Sequence, residues 1–509
     1  MPMSVVFLTP KTSEQVIDAL LGTYSWKDTT LTYSFPGADS LWSTDPVYGY
    51  GDPNGTGEPW TGWFMPLSST EAASFQQILA RWSEVTNVDF IPVEDSDEVT
   101  GIIRVARTYL AEEGDAHAWA YYPSDADCAG DVWINIQEDS GTTPWDNGSY
   151  EFFAVMHEMG HVLGLKHPFE GDVVVPANLD AQSWTIMSYS ALAGDEDSSF
   201  SFYPTTPMIL DIAAVQSVYG PNMEFHADDT TYVFTDEQTY HQTIWDAGGS
   251  DTLWYQGSLD AALDLRCLHG STIGQPVFAM SPNSPEQTRV NNVWIAHEAV
   301  IEHAVGGIGN DILVGNAVNN WLDGGAGLDR VQADGERARY QLANAGDSWV
   351  LSDTWGQEGM DSLVRVERVQ FTDGCAALDL DVGGAARQAA LVLGAVAYDL
   401  LQDPAVVGNV LGWVDGGMNA RQIFDMALAG GEIQVLAGSG DDADLVRLAA
   451  RNVLGQEPAA ELVQELLELL AGHGGSMTAA DFLVMASEHP ANLEHVAMLG
   501  IQDTGLVYV

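Results

Sequence analysis

Met156-His157-Glu158-Met159-Gly160-His161-Val162-Leu163-Gly164-Leu165-Lys166-His167-Pro168 decides the reading of this 509-residue chain. His157 and His161 are four apart, so on a helix they share a face and can share one metal ion. Glu158, about a quarter-turn round, reaches a water on that metal without ligating it. Gly164 can take the left-handed conformation that ends a helix and turns the chain back. That return brings in His167 as a third nitrogen. Three imidazoles with an open fourth position suit a catalytic zinc; a structural site closes the fourth position, usually with cysteine. The plain alternative is an amphipathic helix, and Phe152, Val155, Met159, Val162 and Leu163 do make an apolar back face. The full pattern sets five positions over eleven residues, which favours the metal.

A second signal lies downstream, at Thr185-Ile186-Met187-Ser188-Tyr189. With it the chain resembles the metzincin metalloproteases, and Pro168 with the Met-Ser-Tyr turn resembles their serralysin branch. The resemblance implies a Met-turn at Met187 beneath the zinc and a Tyr189 that leans toward the metal to stabilise the tetrahedral intermediate. It implies peptide hydrolysis in which Glu158 takes a proton from water and returns it to the leaving amine. Only 20 residues separate His167 from Met187, a short connection that leaves the subsite walls built by this loop open.

Acidic residues number 73 against 17 basic, a net charge of -56. Such a chain repels nucleic acid and anionic membranes and attracts divalent cations and basic partners. Most of the carboxylates need no further reason than a solubilising surface. Cys128, Cys267 and Cys375 are scattered and odd in number, so no disulfide framework is expected, and calcium is the candidate staple. No run of 18 apolar residues predicts a membrane span. Met1–Lys11 does not read as a secretory signal peptide.

Length predicts several domains, and the resemblance implies a multidomain α+β protein whose first domain, over 1–220, is a metzincin catalytic domain. A short helix is expected around Thr12–Leu21 and a strand over Thr30–Phe35. Ser69 and Glu71 open a helix whose core stripe is Phe75, Ile78, Leu79, Trp82 and Val85. Strands follow at Val88–Val93, Ile102–Ala106 and Asp131–Asn135. Asp125, Asp127 and Asp131 look like a calcium loop, but the rest of that pattern is missing and they read as an acidic turn; His117 could face the cleft, though a lone loop histidine is more often just solvated. The family binds its peptide substrate along an edge strand, which the resemblance places at Ala118, Trp119 and Ala120. Met208–Gly220 reads as the last helix of this domain.

A second region, 221–380, carries Gly306-Gly307-Ile308-Gly309-Asn310-Asp311-Ile312-Leu313-Val314 and Gly324-Gly325-Ala326-Gly327-Leu328-Asp329-Arg330-Val331-Gln332. Between them lies a degenerate copy, Gly315–Asp323. These nonapeptides predict a parallel β-roll with calcium in its glycine turns and an apolar residue pointing inward. The family resemblance implies calcium on Asp311 with the Gly307 and Gly309 carbonyls, facing Gly324, Ala326 and Asp329. It implies further ligands at Asp246, Gly248, Gly249, Asp251 and Glu302. Strands are expected at Ser348–Ser352 and Ser362–Thr372.

The third region, 381–509, is Ala- and Leu-rich with an internal repeat: Gln402-Asp403-Pro404 recurs as Gln456-Glu457-Pro458, and Gly416-Gly417-Met418 is echoed by Gly474-Gly475-Ser476-Met477. An all-α domain is expected. Asp503 ahead of Leu506–Val509 resembles the uncleaved signal of type I secretion. The expectation is a monomeric, extracellular bacterial zinc endopeptidase that acts on proteins and peptides and is stabilised by calcium. It carries no nucleic-acid partner and no membrane span. The helical domain would either meet a protein inhibitor or cell-surface partner or serve as a plain stabilising domain. The competing reading is a calcium-dependent adhesin with a subsidiary protease domain, against which the intact Glu158 speaks.

Overall fold

Ser149 starts the helix that carries the quoted histidines: its hydroxyl accepts from Phe152 N at 3.2 Å, and the helix runs Tyr150–Val162. The computed structural model describes residues 6–109, 116–136, 145–472 and 477–509. The helix is buried on every face from Phe152 to Val162, more deeply than an amphipathic pattern predicts. Trp82 and Trp26 cap its length by donating their indole N–H groups to Met156 O and Val162 O. Trp82 belongs to the helix Ser69–Val85, where the expected stripe is buried throughout. The cap of that helix is Ser68, one residue earlier than read, in a reciprocal box with Glu71.

A five-stranded sheet positions the histidine helix. Its order is Asp89–Pro92, Thr30–Ser34, Ile103–Thr108, Val132–Asn135, Ala118–Ala120. The first four strands pair in parallel. Ala118–Ala120 closes the sheet as an antiparallel edge, with Trp119 opposite Trp133.

Two readings near the N-terminus change. The expected helix over Thr12–Leu21 shrinks to Gln15–Asp18, because Asp18 folds back to accept from Thr12 N and Ser13 N. Leu20 and Leu21 are also needed outside the helix, where Leu20 O accepts from Lys166 N and Leu21 bridges Leu165. Asp131 does not lie in a solvated turn. It is buried, accepts from Tyr50 OH at 2.5 Å, and burial pushes its carboxyl up to about 8.

The chain forms two compact units, Met1–Ile301 and Glu302–Val509. The division falls between the limits of 220 and 380 drawn from the sequence. Unit one holds, after the helix Ile209–Tyr219 and its left-handed cap Gly220, several short strands. Among them Thr231–Phe234 and Thr252–Tyr255 pair in parallel.

Unit two begins with the roll. His303–Val305, Trp321–Asp323 and Met360–Val364 form one parallel ladder. Ile312–Val314, Arg330–Gln332 and Arg368–Phe371 form the other. One fully buried residue per strand fills the space between: Ala304, Leu322 and Leu363 against Leu313, Val331 and Val369. The single strand expected over Ser362–Thr372 is therefore two. The chain leaves one ladder at Val364, turns through Arg365 at φ 48°, and enters the other at Arg368.

Helices follow from Ala385–Val396 to Ile501–Thr504. The repeat shows in two equivalent capping boxes, Asn419 with Gln422 and Thr478 with Asp481. Arg421 and Asp481 pair between the helices they open. The region expected to be all-α ends otherwise: Leu506–Tyr508 returns as a strand, antiparallel to Gly374–Ala377. Arg368, 2% exposed, adds a second tie by binding Asp379 and Asp415 at 2.6 Å each. Both ties cross the limit drawn at 380.

Candidate metal centre and active site

The three histidines meet at one point. Their Nε2 atoms are 3.2 Å apart for 157–161, 3.3 Å for 157–167 and 3.1 Å for 161–167. Ligands about 2.0–2.1 Å from a tetrahedral zinc stand about 3.3 Å from one another, so the triangle fits that ion. Each ring is oriented by its other nitrogen. Nδ1 of His157 lies 2.7 Å from Ile186 O, that of His161 2.8 Å from Leu165 O, and that of His167 2.8 Å from Glu170 Oε1. With Nδ1 donating, Nε2 keeps its lone pair on all three rings. Burial, then the charge of the neighbouring imidazole, holds His157 down to about 3 and His161 well below its ordinary range. Both are therefore neutral, the form that ligates.

Gly164 takes φ +94°, and a Cβ there would stand 2.8 Å from Tyr24 O. This is the turn the sequence requires to bring His167 back. Gly160 has a different use: a Cβ would meet Met187 Sδ at 2.5 Å, so only glycine lets that sulfur lie against the histidine helix. Met187 is fully buried there.

The sequence reading missed the residue that holds this turn. Asp211 is buried and accepts from Thr185 Oγ1 at 2.5 Å, Ile186 N at 2.8 Å and Met208 N at 2.9 Å. Ile186 then turns its carbonyl to His157. Burial pushes Asp211 up to about 7 despite the three donors. Its signal was a carboxylate three residues into a helix, a capping position. Also missed were Phe169, stacked on His167 with rings 5.2 Å apart and 8° from parallel, and Tyr122, 4.9 Å from the His161 ring.

Glu158 is buried, which raises its carboxyl well above the ordinary range; a hydrogen bond from the Ala120 backbone opposes the rise. Tyr189 is half exposed, with its hydroxyl 2.9 Å from His167 Nε2. A cavity of about 570 Å³ opens between Ala118, Tyr150, His157, Glu158 and Tyr189. His117, for which a place facing the cleft and a solvated one were both open, lies in its wall with its ring edge-on to Tyr150 at 4.7 Å. Trp119 uses its indole N–H elsewhere, on buried Glu58 at 3.2 Å.

The glycine turns bring together oxygens. Asp246 accepts from Tyr232 OH at 2.6 Å and from Gly248 N at 2.9 Å, and Asp251 from Thr230 N at 2.7 Å. Gly248 and Gly249 have φ of 140° and 144°. In unit two, Asp311 accepts from Gly307 N at 2.6 Å, and Asp329 accepts from Asp311 N at 2.8 Å through Oδ1. Oδ2 of Asp329 is buried and receives no hydrogen bond among the described residues. Burial, with Glu367, Asp311 and Asp323 nearby, pushes this carboxyl up to about 7. A Cβ on Gly325 would stand 2.3 Å from Gly307 O, and one on Gly327 would stand 2.0 Å from Gly309 O. The turns are thus stacked in direct contact, with carbonyls between them. A hard, oxygen-seeking cation fits this donor set. The degenerate turn differs: Asn320 closes it by accepting from Asn316 N at 2.8 Å and donating to Glu302 O at 3.0 Å.

Three imidazoles on a helix and its return, above a buried methionine turn and beside an edge strand, are arranged as a metzincin metal centre is. Residues 66–186 match the family described as Matrixin, and residues 209–364 match Peptidase M10 serralysin C terminal. Serralysin B of Dickeya chrysanthemi is 32% identical over 314 residues, covering 57% of this chain and 59% of that protein. Serralysin of Photorhabdus laumondii is 29% identical over 286 residues, covering 51% and 56%. Serralysin of Proteus mirabilis is 29% identical over 303 residues, covering 52% and 59%. Over these two stretches the chain is similar to the serralysin-type M10 metalloproteases, a matrixin match followed by a serralysin C-terminal match. It spans a little over half the length of the curated relatives it matches.

Proposed function

We propose that this chain is a zinc-dependent endopeptidase that cleaves proteins outside the cell, with calcium in its glycine turns. The observation that carries the reading is the triangle of three converging Nε2 atoms with a buried carboxylate beside it, open to a cavity along a sheet edge. His157, His161 and His167 would hold the zinc, which supplies Lewis acidity toward a peptide carbonyl and lowers the pKa of water. Glu158, held in a dry pocket, takes a proton from the attacking water and passes it to the leaving amine. Ala118–Ala120 offers the free edge of its strand to an extended peptide, which adds as a further strand. The Tyr189 hydroxyl, beside His167, donates to the oxygen on which negative charge develops. Met187 and Asp211 act earlier in the chain of support, holding Ile186 O against His157.

Asp246, Gly248, Gly249, Asp251, Glu302, Asp311 and Asp329, with the turn carbonyls of Gly307, Gly309, Gly324 and Ala326, would hold calcium. Among the described residues no helix is long and apolar enough to cross a membrane. A roll that folds when it meets calcium suits a protein exported before it folds. The limits 1–220, 221–380 and 381–509 remain our division of labour into catalysis, calcium binding and a helical part. That part has a cavity of about 460 Å³ near Arg387 and Arg421, which suits the binding of a protein partner and keeps the adhesin reading as the second one.

The test is a pair of measurements on zinc-loaded protein. Wild type should cleave casein. Glu158→Ala should keep one zinc per chain and lose turnover by about 10²-fold or more. Unchanged turnover in that variant would sink the mechanism.

A further inference from the structure

The cavity beside the metal centre has a chemistry of its own. Its apolar walls are Tyr150 and Phe153, and its polar groups are His117, Gln182, Glu196 and Asp197. Gln182 is 4% exposed, and its side-chain oxygen is buried with no hydrogen-bond donor among the described residues. A buried acceptor left so costs stability unless a ligand supplies the donor. Glu196 and Asp197 are exposed and form no ion pair among the described residues. Neither could find a cation nearby in sequence: from Thr108 to Leu265 the chain has one lysine, Lys166, and no arginine. Lys166 is committed to the carbonyls of Ala19, Glu170 and Val173.

We infer that this cavity selects substrates with a long cationic side chain, arginine or lysine, at one of the two residues flanking the cleaved bond. The inference rests on the endopeptidase reading. The cavity shares His157, Glu158 and Tyr189 with the metal centre, so a side chain that enters it belongs to a residue next to that bond. The aliphatic stem lies along Tyr150 and Phe153. The head donates to Gln182 and meets the carboxylates of Glu196 and Asp197. An acidic side chain would meet the same two carboxylates and be repelled by them.

The experiment is a set of fluorogenic peptides, cleaved by the zinc-loaded full chain. They differ only in one flanking residue and then only in the other: arginine, lysine, norleucine or glutamate. At one of the two positions, kcat/KM for arginine and lysine should exceed that for norleucine by about fivefold or more, since the carboxylates are solvent-screened. Glutamate should be poorest. The arginine-to-norleucine ratio should fall toward one in the double variant Glu196→Gln, Asp197→Asn and in high salt. It should also fall in Gln182→Met, which keeps the length and removes the acceptor. Equal rates for arginine and norleucine at both positions would overturn the inference and leave the endopeptidase reading intact. A ratio unmoved by the double variant would do the same. No cleavage of any peptide would overturn the endopeptidase reading itself, and this inference with it.

Discussion

The histidine helix and the glycine turns both gather metal-binding groups, yet they stand in opposite states without a metal. At the helix every proposed ligand has its second nitrogen fastened to the protein: Ile186 O, Leu165 O and Glu170 Oε1 hold the three rings in place. At the turn the proposed ligand is a carboxylate, Asp329, with one buried oxygen that receives no hydrogen bond among the described residues and three other carboxylates close enough to raise its pKa. Neutral ligands can be built into a finished core, whereas crowded anions hold together only once a cation arrives. The first site should therefore survive loss of its metal, and the second should not.

The largest effect should come from calcium. A cation at a thousandfold excess over its Kd contributes about 4 kcal/mol per site. Calcium chelation should accordingly lower the first melting transition by about ten degrees or more. Removal of zinc alone should move the melt far less. Circular-dichroism melts in calcium, in a calcium chelator and in a zinc-selective chelator make the measurement. Equal melts with and without calcium would break the comparison.

Asp211→Ala attacks the other side of the contrast. It removes the acceptor of three hydrogen bonds, at a cost of about 3 kcal/mol. Ile186 O then loses its anchor, so zinc affinity should fall by about tenfold. A zinc titration that is unchanged would mean that the turn beneath the metal holds itself.

Asp329→Asn sharpens the contrast through a change of sign. In calcium it should destabilise by about 2 kcal/mol, as a charged ligand is lost. In chelator it should stabilise relative to wild type, because a buried and crowded carboxylate has gone. Asn320 at the degenerate turn already has this arrangement. Denaturant melts in both buffers decide it, and the same sign in both would refute the account.

The smallest effect tests a buried carboxylate that has a donor and needs no metal. Asp131, bonded to Tyr50, is pushed up to about 8 by burial. Its folded state therefore holds the proton more tightly than the unfolded one. The stability it contributes is complete below the ordinary carboxylate range and is lost as pH rises from there toward about 8. Asp131→Asn should remove that slope and stabilise by about 1–2 kcal/mol at pH 8, in calcium or chelator alike. A slope that persists in the variant would assign it to other groups.

The local patterns were legible because each one is complete within a few residues. A helix places His157 and His161 on one face whatever surrounds it, and Gly164 supplies the return for His167. Glycine at fixed intervals with one apolar residue per repeat leads to Leu313, Leu322 and Val331 inside a parallel ladder. The core stripe of Ser69–Val85 was legible for the same reason.

What the chain's order of residues determined by itself, then, was periodic and local: which segments are helices and turns, and which side chains carry metal chemistry. Tertiary structure alone decided what joins segments far apart. Asp211 reaches the turn of Met187 from a helix more than twenty residues on, Asp131 finds Tyr50 81 positions earlier, and Leu506–Tyr508 pairs with a strand from before the helices of the third region. The physical reason is the same in each case. A buried carboxylate or an open strand edge must find a partner for its hydrogen bonds, and no local pattern records which distant group will supply it.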